Sequence, residues 1–328
     1  VVRWLGAVQA LDFGQALWAV GSRMSAGTME LVEKAIADGE ILRSWPMRGT
    51  IHFLPREDAR WMVRLLAPRI LTKMGRRQRE LGLTPDILER AMTLFRESLT
   101  GTRLTRAALL EVLEAAQIDT SSGRGYHLLT AAAQSALICL GPLEGKQQTF
   151  ALLDEWAPGA RVLDGNAALI EIARRYFTSH GPATAHDFAH WTALTVTEAK
   201  RAIDMAELRS VNVEGKTYWY AELAQPPVES TLLLAGFDEY FLGYKDRSPI
   251  VSATDAEKVV PGKNGVFRPT VVANGQVVGT WQRTITTKKV TIAIAPFFAH
   301  AARKADLESA ANRYAEFVGL PLAKLTIE

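Results

Sequence analysis

TAHDFAHWTALTVTEAKRAIDMAELRSVNVEGKTYWY, residues 184–220, is the stretch that decides the fold. Thr184-x-x-Asp187 and Thr195-x-x-Glu198 are both capping-box patterns, eleven residues apart. In each, a hydroxyl can accept from the backbone three residues on, and a carboxylate can reach back to the N-cap N–H. The spacing predicts a short helix over Ala185 to Trp191, a tight turn, and a second helix over Val196 to Ala206. Ser210 to Tyr220 then reads as two short strands about a Glu214-Gly215 turn. Upstream, Leu169, Ile172, Ala173, Tyr176 and Phe177 recur at helical spacing, and Gly181-Pro182 ends that helix. Helix, helix-turn-helix and hairpin is the order of a winged helix.

The same order recurs twice upstream. Helices over Thr105 to Ala116 and Arg124 to Leu137 precede a hairpin over Cys139 to Phe150, whose Glu144-Gly145-Lys146 matches Glu214-Gly215-Lys216. At the front, helices over Gly14 to Arg23 and Thr28 to Ala37 precede strands Ile41 to Trp45 and Thr50 to Leu54, with Arg48-Gly49 at the turn. Hairpins centred near Gly49, Gly145 and Gly215 predict tandem winged-helix units, against the alternative of a helical protein with unrelated hairpins. Between the first two lies a helical insert: Trp61, Met62, Leu65 and Leu66 share one face, and Thr84-Pro85 opens a fresh helix with Leu88, Ala91, Met92, Phe95 and Leu99 on its face. From Ser230 the apolar period becomes alternating, Asn274-Gly275 marks a hairpin, and a helix over His300 to Val318 closes the chain. Val251 to Gly265 reads as a mobile loop.

The predicted class is therefore α+β, with tandem winged-helix motifs and a C-terminal β-rich, barrel-like domain. Its divisions are a first winged helix over 1–55, a helical insert over 56–101, a second winged helix over 102–160, a third over 161–229, and the β-rich domain over 230–328. The first unit is expected to be truncated, because the chain lacks an initiator Met and opens inside an apolar pattern.

Composition bounds the function. Of the 328 residues, 48% are hydrophobic and 22% charged, a globular balance that excludes a disordered tail. One cysteine, Cys139, excludes a disulfide framework and any multi-cysteine metal site, and points to a reducing cytoplasm. No uncharged apolar run approaches a membrane span, and Arg3 and Asp12 in the first segment argue against a signal peptide. The net charge, 38 Lys+Arg less 35 Asp+Glu or +3, permits nucleic acid without demanding it. The local distribution says more. Arg60, Arg64, Arg69, Lys73, Arg76, Arg77 and Arg79 run with no acid before Glu80. Such a stripe could neutralise phosphates, or be a solvated helix face balanced by acids elsewhere.

Chemical motifs are sparse. His186 and His190 stand at i and i+4 on a helix, but Asp187 is claimed by the capping box and no third metal ligand is evident, so no metal and no cofactor is expected. Gly141 to Lys146 lacks phosphate-loop spacing, and Cys139 lies in an apolar run with no adjacent base. Gln9-Ala-Leu-Asp12 interrupts an apolar pattern that starts at Val1. If the helix persists, Gln9 and Asp12 share a face; otherwise the helix ends, with Gln9 facing solvent and Asp12 capping the helix that follows.

Several segments carry a resemblance. They are Val1 to Ala10, Met47 to Pro55, His180 to Trp191, Gly236 to Ser248, and Gly279-Thr-Trp281. Nearly end to end, the chain resembles the AlkZ/YcaQ-like family of winged-helix bacterial DNA glycosylases. The resemblance implies a C-shaped surface that grips double-stranded DNA, and excision of bulky or cross-linking N-alkylated purines by a monofunctional glycosylase. It also implies a Gln-x-Gln or Gln-x-Asp catalytic motif. Here Gln9 fills the first position and Leu11 the second, so the motif is degenerate. Gln9 and Asp12 are the catalytic candidates, although Asp12 lies at a position the family fills independently of catalysis. The duplex-contacting candidates are Arg48, Thr50, His52, Arg69, Lys73, Arg76, Arg77, Arg79, Lys216, Lys245 and Arg247. The expected protein is a nucleoid-associated cytoplasmic monomer without a protein partner. The alternative is a non-catalytic winged-helix DNA-binding protein, either a damage sensor or a regulator, which Leu11 favours.

Overall fold

Two-residue turns set the frame. Arg48 and Gly49 both have positive φ (54° and 72°), as do Glu214 and Gly215 (51° and 78°) and Asn274 and Gly275 (49° and 77°). That is the type I′ pattern, whose twist matches that of the strands it joins. At the middle hairpin only Gly145 (62°) is left-handed, ahead of Lys146, as a type II′ turn requires. Glu144-Gly145-Lys146 and Glu214-Gly215-Lys216 are thus out of step by one residue. Glu144 pairs with Gln147, whereas Val213 pairs with Lys216. The identity of the two tripeptides is not a structural equivalence.

The computed structural model describes residues 1–223 and 231–328, so the boundary expected at 229/230 lies outside the described residues. Strands β1 (Val8–Gln9), β2 (Ile41–Met47), β3 (Thr50–Pro55), β4 (Leu104–Thr105), β5 (Ile138–Glu144) and β6 (Gln147–Leu152) form one antiparallel sheet in the order β1-β3-β2-β5-β6-β4. The first two hairpins are therefore joined, through Arg43 opposite Leu140. The third hairpin, β7 (Arg209–Val213) and β8 (Lys216–Tyr220), stands as a two-stranded sheet. Strands β9 (Thr231–Leu234), β10 (Thr270–Ala273), β11 (Gln276–Ile285), β12 (Val290–Pro296) and β13 (Leu322–Ile327) form the last sheet, in the order β13-β12-β11-β10-β9.

That last sheet corrects the barrel-like expectation. It is open, with β9 and β13 at its two edges, and β12 and β13 run parallel while its other pairs are antiparallel. Closure is replaced by covering. The helix Lys304–Val318 packs one face, with Tyr314 edge-on to Trp18 and Trp281 at 5.0 Å each. Trp18 and Trp281 donate to the Leu233 and Leu234 carbonyls (2.7 and 2.8 Å), which fastens the front helix Phe13–Gly21 to the C-terminal sheet. The Val251 to Gly265 segment is not a loop throughout. Helix Ala253–Val259 begins there, with Ser252 Oγ accepting from the Asp255 N–H.

Elsewhere local chemistry and structure agree. Both capping boxes form, and Thr84 caps Pro85–Leu99. The apolar faces of Gly165–Ser179, Ala185–Thr192 and Val196–Ala206 meet in one core around Tyr176, Phe177, Phe188 and Trp191. The helix at the front of the chain does not run on to Gln9. It spans Val2–Leu5, and the chain then enters β1, which pairs Val8 with Phe53 and Gln9 with His52.

Candidate active site and nucleic-acid interface

Gln9 ends an edge strand, in a seam between the first sheet, helix Ala185–Thr192 and the segment after β9. It is 7% exposed. Its N–H donates to Glu239 Oε1 at 3.3 Å, and its carboxamide Oε1 has no hydrogen-bond partner among the described residues. Glu239, 2% exposed, takes the Trp191 indole N–H on Oε2 at 2.9 Å and has His180 Nε2 at 3.5 Å. Burial alone would raise its pKa, but His180 and Arg48 more than offset that and hold it down to about 2. Glu239 is therefore an ionised carboxylate under the peptide of Gln9. Its own position is set by Asp238, which caps helix Glu239–Leu242 and is gripped by Arg23 at 2.7 and 2.9 Å. Gly243 leaves room for the imidazole: a Cβ there would lie 2.5 Å from His180 Cδ2.

Opposite Gln9, His52 is fully buried. Its Nε2 lies 3.0 Å from Arg48 Nη2 and its Nδ1 2.9 Å from the Thr50 carbonyl. A guanidinium can only donate, so Nε2 accepts and Nδ1 carries the proton. Burial, reinforced by the Arg48 charge, pushes the His52 pKa to about 3, so the ring stays neutral. Leu11, at the second motif position, and Asp12 beside it behave differently. Leu11 is 55% exposed, and Asp12 is an N-cap whose Oδ1 accepts from the Gln15 N–H at 3.1 Å. The capping alternative describes Asp12, and no shared helical face joins it to Gln9, but Gln9 is buried rather than facing solvent as that alternative expected.

The structure gathers some of the duplex-contacting candidates and scatters others. Arg48, Thr50 and His52 lie together at the tip of the β2–β3 hairpin, with Arg48 turned inward. Lys245 and Arg247 lie on the segment that Asp187 ties down through the Lys245 and Asp246 N–H groups. Arg247 is half-buried, donates to the Phe241 carbonyl at 2.6 Å and stacks over Phe241 and Phe267. Lys216 pairs with Asp246 at 2.9 Å. The basic stripe lies on Ala59–Leu66 and Pro68–Glu80 and is partly neutralised: Arg60 meets Asp154, Arg69 meets Glu198, and Arg76 and Arg77 share Glu80 at 3.0 and 3.2 Å. Lys73 and Arg79 are exposed and make no ion pair among the described residues. His190 is pushed down to about 4 by burial and by Arg48 and Arg247. Among the described residues no three His, Cys, Asp or Glu side chains are grouped to hold a metal ion. Burial raises the Cys139 thiol pKa, which keeps it unreactive.

Sequence reasoning missed Glu239 as the partner of Gln9, and His180 and Trp191 as neighbours of Glu239, although all three lie in the segments that carry the family resemblance. It also missed Arg43, which is 7% exposed and donates to the Ala10 carbonyl at 3.2 Å from a largely apolar strand. No local pattern marks a residue whose partner is 33 positions away.

The sequence profile described as "DNA glycosylase AlkZ-like" matches residues 2–317. The interstrand DNA cross-link repair glycosylase of Streptomyces sahachiroi is 31% identical over 301 residues, 86% of this chain and 81% of that protein. The solved structure of the Streptomyces sahachiroi DNA glycosylase AlkZ superposes with a TM-score of 0.85 at 27% identity, covering 100% of this chain and 92% of the other. An α+β chain with open, largely antiparallel sheets, matched over nearly its whole length, belongs to the AlkZ-like DNA glycosylase family.

Proposed function

We propose that the protein is a monofunctional DNA glycosylase that hydrolyses the N-glycosidic bond of N-alkylated or cross-linked purines in duplex DNA, with Gln9 as its surviving catalytic side chain. The observation that carries this reading is the Gln9 carboxamide oxygen, which is buried yet unpartnered on an edge strand that an ionised carboxylate anchors. A buried polar atom without a partner is costly, and such atoms concentrate where a ligand or water completes them. The oxygen can orient a water toward the sugar and face the positive charge that develops there as the bond to the base breaks. A purine alkylated at N7 already carries positive charge and departs as a neutral base, so one well-placed polar group suffices. Such a group contributes ~10²–10⁴-fold.

In this reading the three helix–hairpin units act as winged helices along the duplex, with the divisions at 55, 101, 160 and 229 kept from the sequence, and the protein works as a nucleoid-associated monomer. Lys245, Arg247 and the exposed Lys73 and Arg79 neutralise phosphates. Leu11 favours a second reading, a damage sensor that binds without excising, because an exposed aliphatic side chain can neither position water nor stabilise charge. The experiment is a single-turnover incubation with duplex carrying N7-methylguanine, read as alkali-labile abasic sites. Release above the uncatalysed rate supports the glycosylase. Tight duplex binding with no release establishes the sensor.

A further inference from the structure

We propose that Arg43 and Glu239 are a pair of positioning residues that grip the Gln9–Ala10 dipeptide from its two ends, Glu239 through the Gln9 N–H and Arg43 through the Ala10 carbonyl, and thereby fix where the Gln9 carboxamide points. The catalytic consequence rests on the glycosylase reading; the grip itself does not.

The segment needs such a grip. β1 is two residues long and lies at the edge of its sheet, and beyond it Leu11 and Asp12 turn out into solvent before the helix begins at Phe13. One further backbone bond, from the Ala10 N–H to the Ile51 carbonyl at 2.8 Å, holds it to β3. Two edge residues with so few ladder bonds would fray. The two side chains that add to them are both buried and opposite in sign. Glu239 offers a carboxylate to an N–H, and Arg43 offers a guanidinium to a carbonyl, so each charge meets the end of the peptide dipole it favours. Charge-assisted hydrogen bonds of this kind are about twice as strong as neutral ones.

Arg43 is the less expected member. It lies on β2, inside the sheet, and its guanidinium also donates to Gln148 Oε1 and stands 4.8 Å above the Phe13 ring. Gln148 in turn donates to the Gly141 and Thr149 carbonyls at 2.8 Å each, so the grip is anchored in the second hairpin. Among the described residues no carboxylate pairs with Arg43, and its Nε has no partner. Burial pulls its pKa down to about 10, which leaves it charged at neutral pH. A methionine would fill this core position without a desolvated charge. The donors aimed at Ala10 and Gln148 are what an apolar side chain lacks.

The test uses the whole protein and two readouts. Arg43→Met should speed hydrogen exchange at the Gln9 and Ala10 amides by about tenfold or more, with exchange in helix Gly165–Ser179 unchanged. Arg43→Lys, which keeps the charge and one donor, should recover part of the protection. In single-turnover excision, Arg43→Met should lose about tenfold or more in rate at an unchanged duplex Kd, and adding Arg43→Met to Gln9→Ala should cost little further. If Arg43→Met does not fold, Gln148→Ala removes the outer anchor and should give the same pattern more weakly. Unchanged exchange at Gln9 and Ala10, or a rate loss that merely tracks the folded fraction, overturns the grip. A parent that excises nothing defeats the glycosylase reading while the exchange result still decides the grip.

Discussion

Acid should destabilise this protein through His52, and the size of the effect follows from its surroundings. The ring is fully buried, accepts from a guanidinium and donates to a backbone carbonyl, and its pKa falls from the ordinary 6.5 to about 3. Between those values the unfolded chain binds a proton that the folded chain refuses, so stability is complete above the ordinary histidine range and is lost as pH falls toward 3. One pKa unit is worth about 1.4 kcal/mol, so acidifying from neutrality to about pH 5, roughly 1.5 units below the ordinary value, costs about 2 kcal/mol from this residue. Glu239 does not compete in that window. Its pKa is depressed, so its contribution is intact above the ordinary carboxylate value of 4.5 and fades only as pH falls toward about 2. His190 adds to the slope in the same direction but remains in every variant. His52→Gln keeps an acceptor for Arg48 and a donor for the Thr50 carbonyl while deleting the titration. Urea unfolding at the two pH values should therefore give the parent a pH-dependent loss about 2 kcal/mol larger than that of His52→Gln. Equal losses in the two proteins would refute the claim that a neutral, desolvated imidazole sits under the hairpin tip.

Asp12→Ala should cost about 1 kcal/mol of stability, the worth of an N-cap, while leaving the rate of excision by the folded protein within about twofold; thermal melts with single-turnover rates check both. Replacing Arg76 and Arg77 with Ala should lower the logarithmic salt slope of duplex binding by ~0.9 for each phosphate no longer neutralised, and an unchanged slope assigns them to a solvated face. Glu80→Gln should act in the opposite sense, because it frees both arginines from their shared carboxylate, and titration at two salt concentrations reads the gain.

What was legible in the sequence was local. Thr184, Thr195 and Thr84 announce their helices because an N-cap acts within three residues, and Arg48-Gly49, Glu214-Gly215 and Asn274-Gly275 announce hairpins because two adjacent residues must take positive φ. The same rule was available at Ser252-x-x-Asp255, where two glycines and two lysines nearby suggested a loop instead. Sheet closure was not legible, since it depends on where β9 and β13 end relative to each other rather than on alternation within either strand. Nor was the neutralisation of the basic stripe, because Asp154 and Glu198 come from distant helices. Gln9 could be singled out by resemblance, but its carboxylate partner lies 230 residues away, and only folding brings the two together.

The central claim is that Gln9 carries glycosidic bond cleavage in a motif whose second position is Leu11. The most direct test is single-turnover release of N7-methylguanine from duplex by the parent, Gln9→Ala and Leu11→Gln, with duplex affinity measured alongside. The account predicts a slow parent, near-complete loss in Gln9→Ala, and a gain of about tenfold or more in Leu11→Gln, equivalent to roughly 1.4 kcal/mol off the barrier. Affinity should be nearly the same in all three, since neither residue is charged. Base release that survives Gln9→Ala undiminished, or that is absent from all three proteins while duplex binding persists, would contradict it.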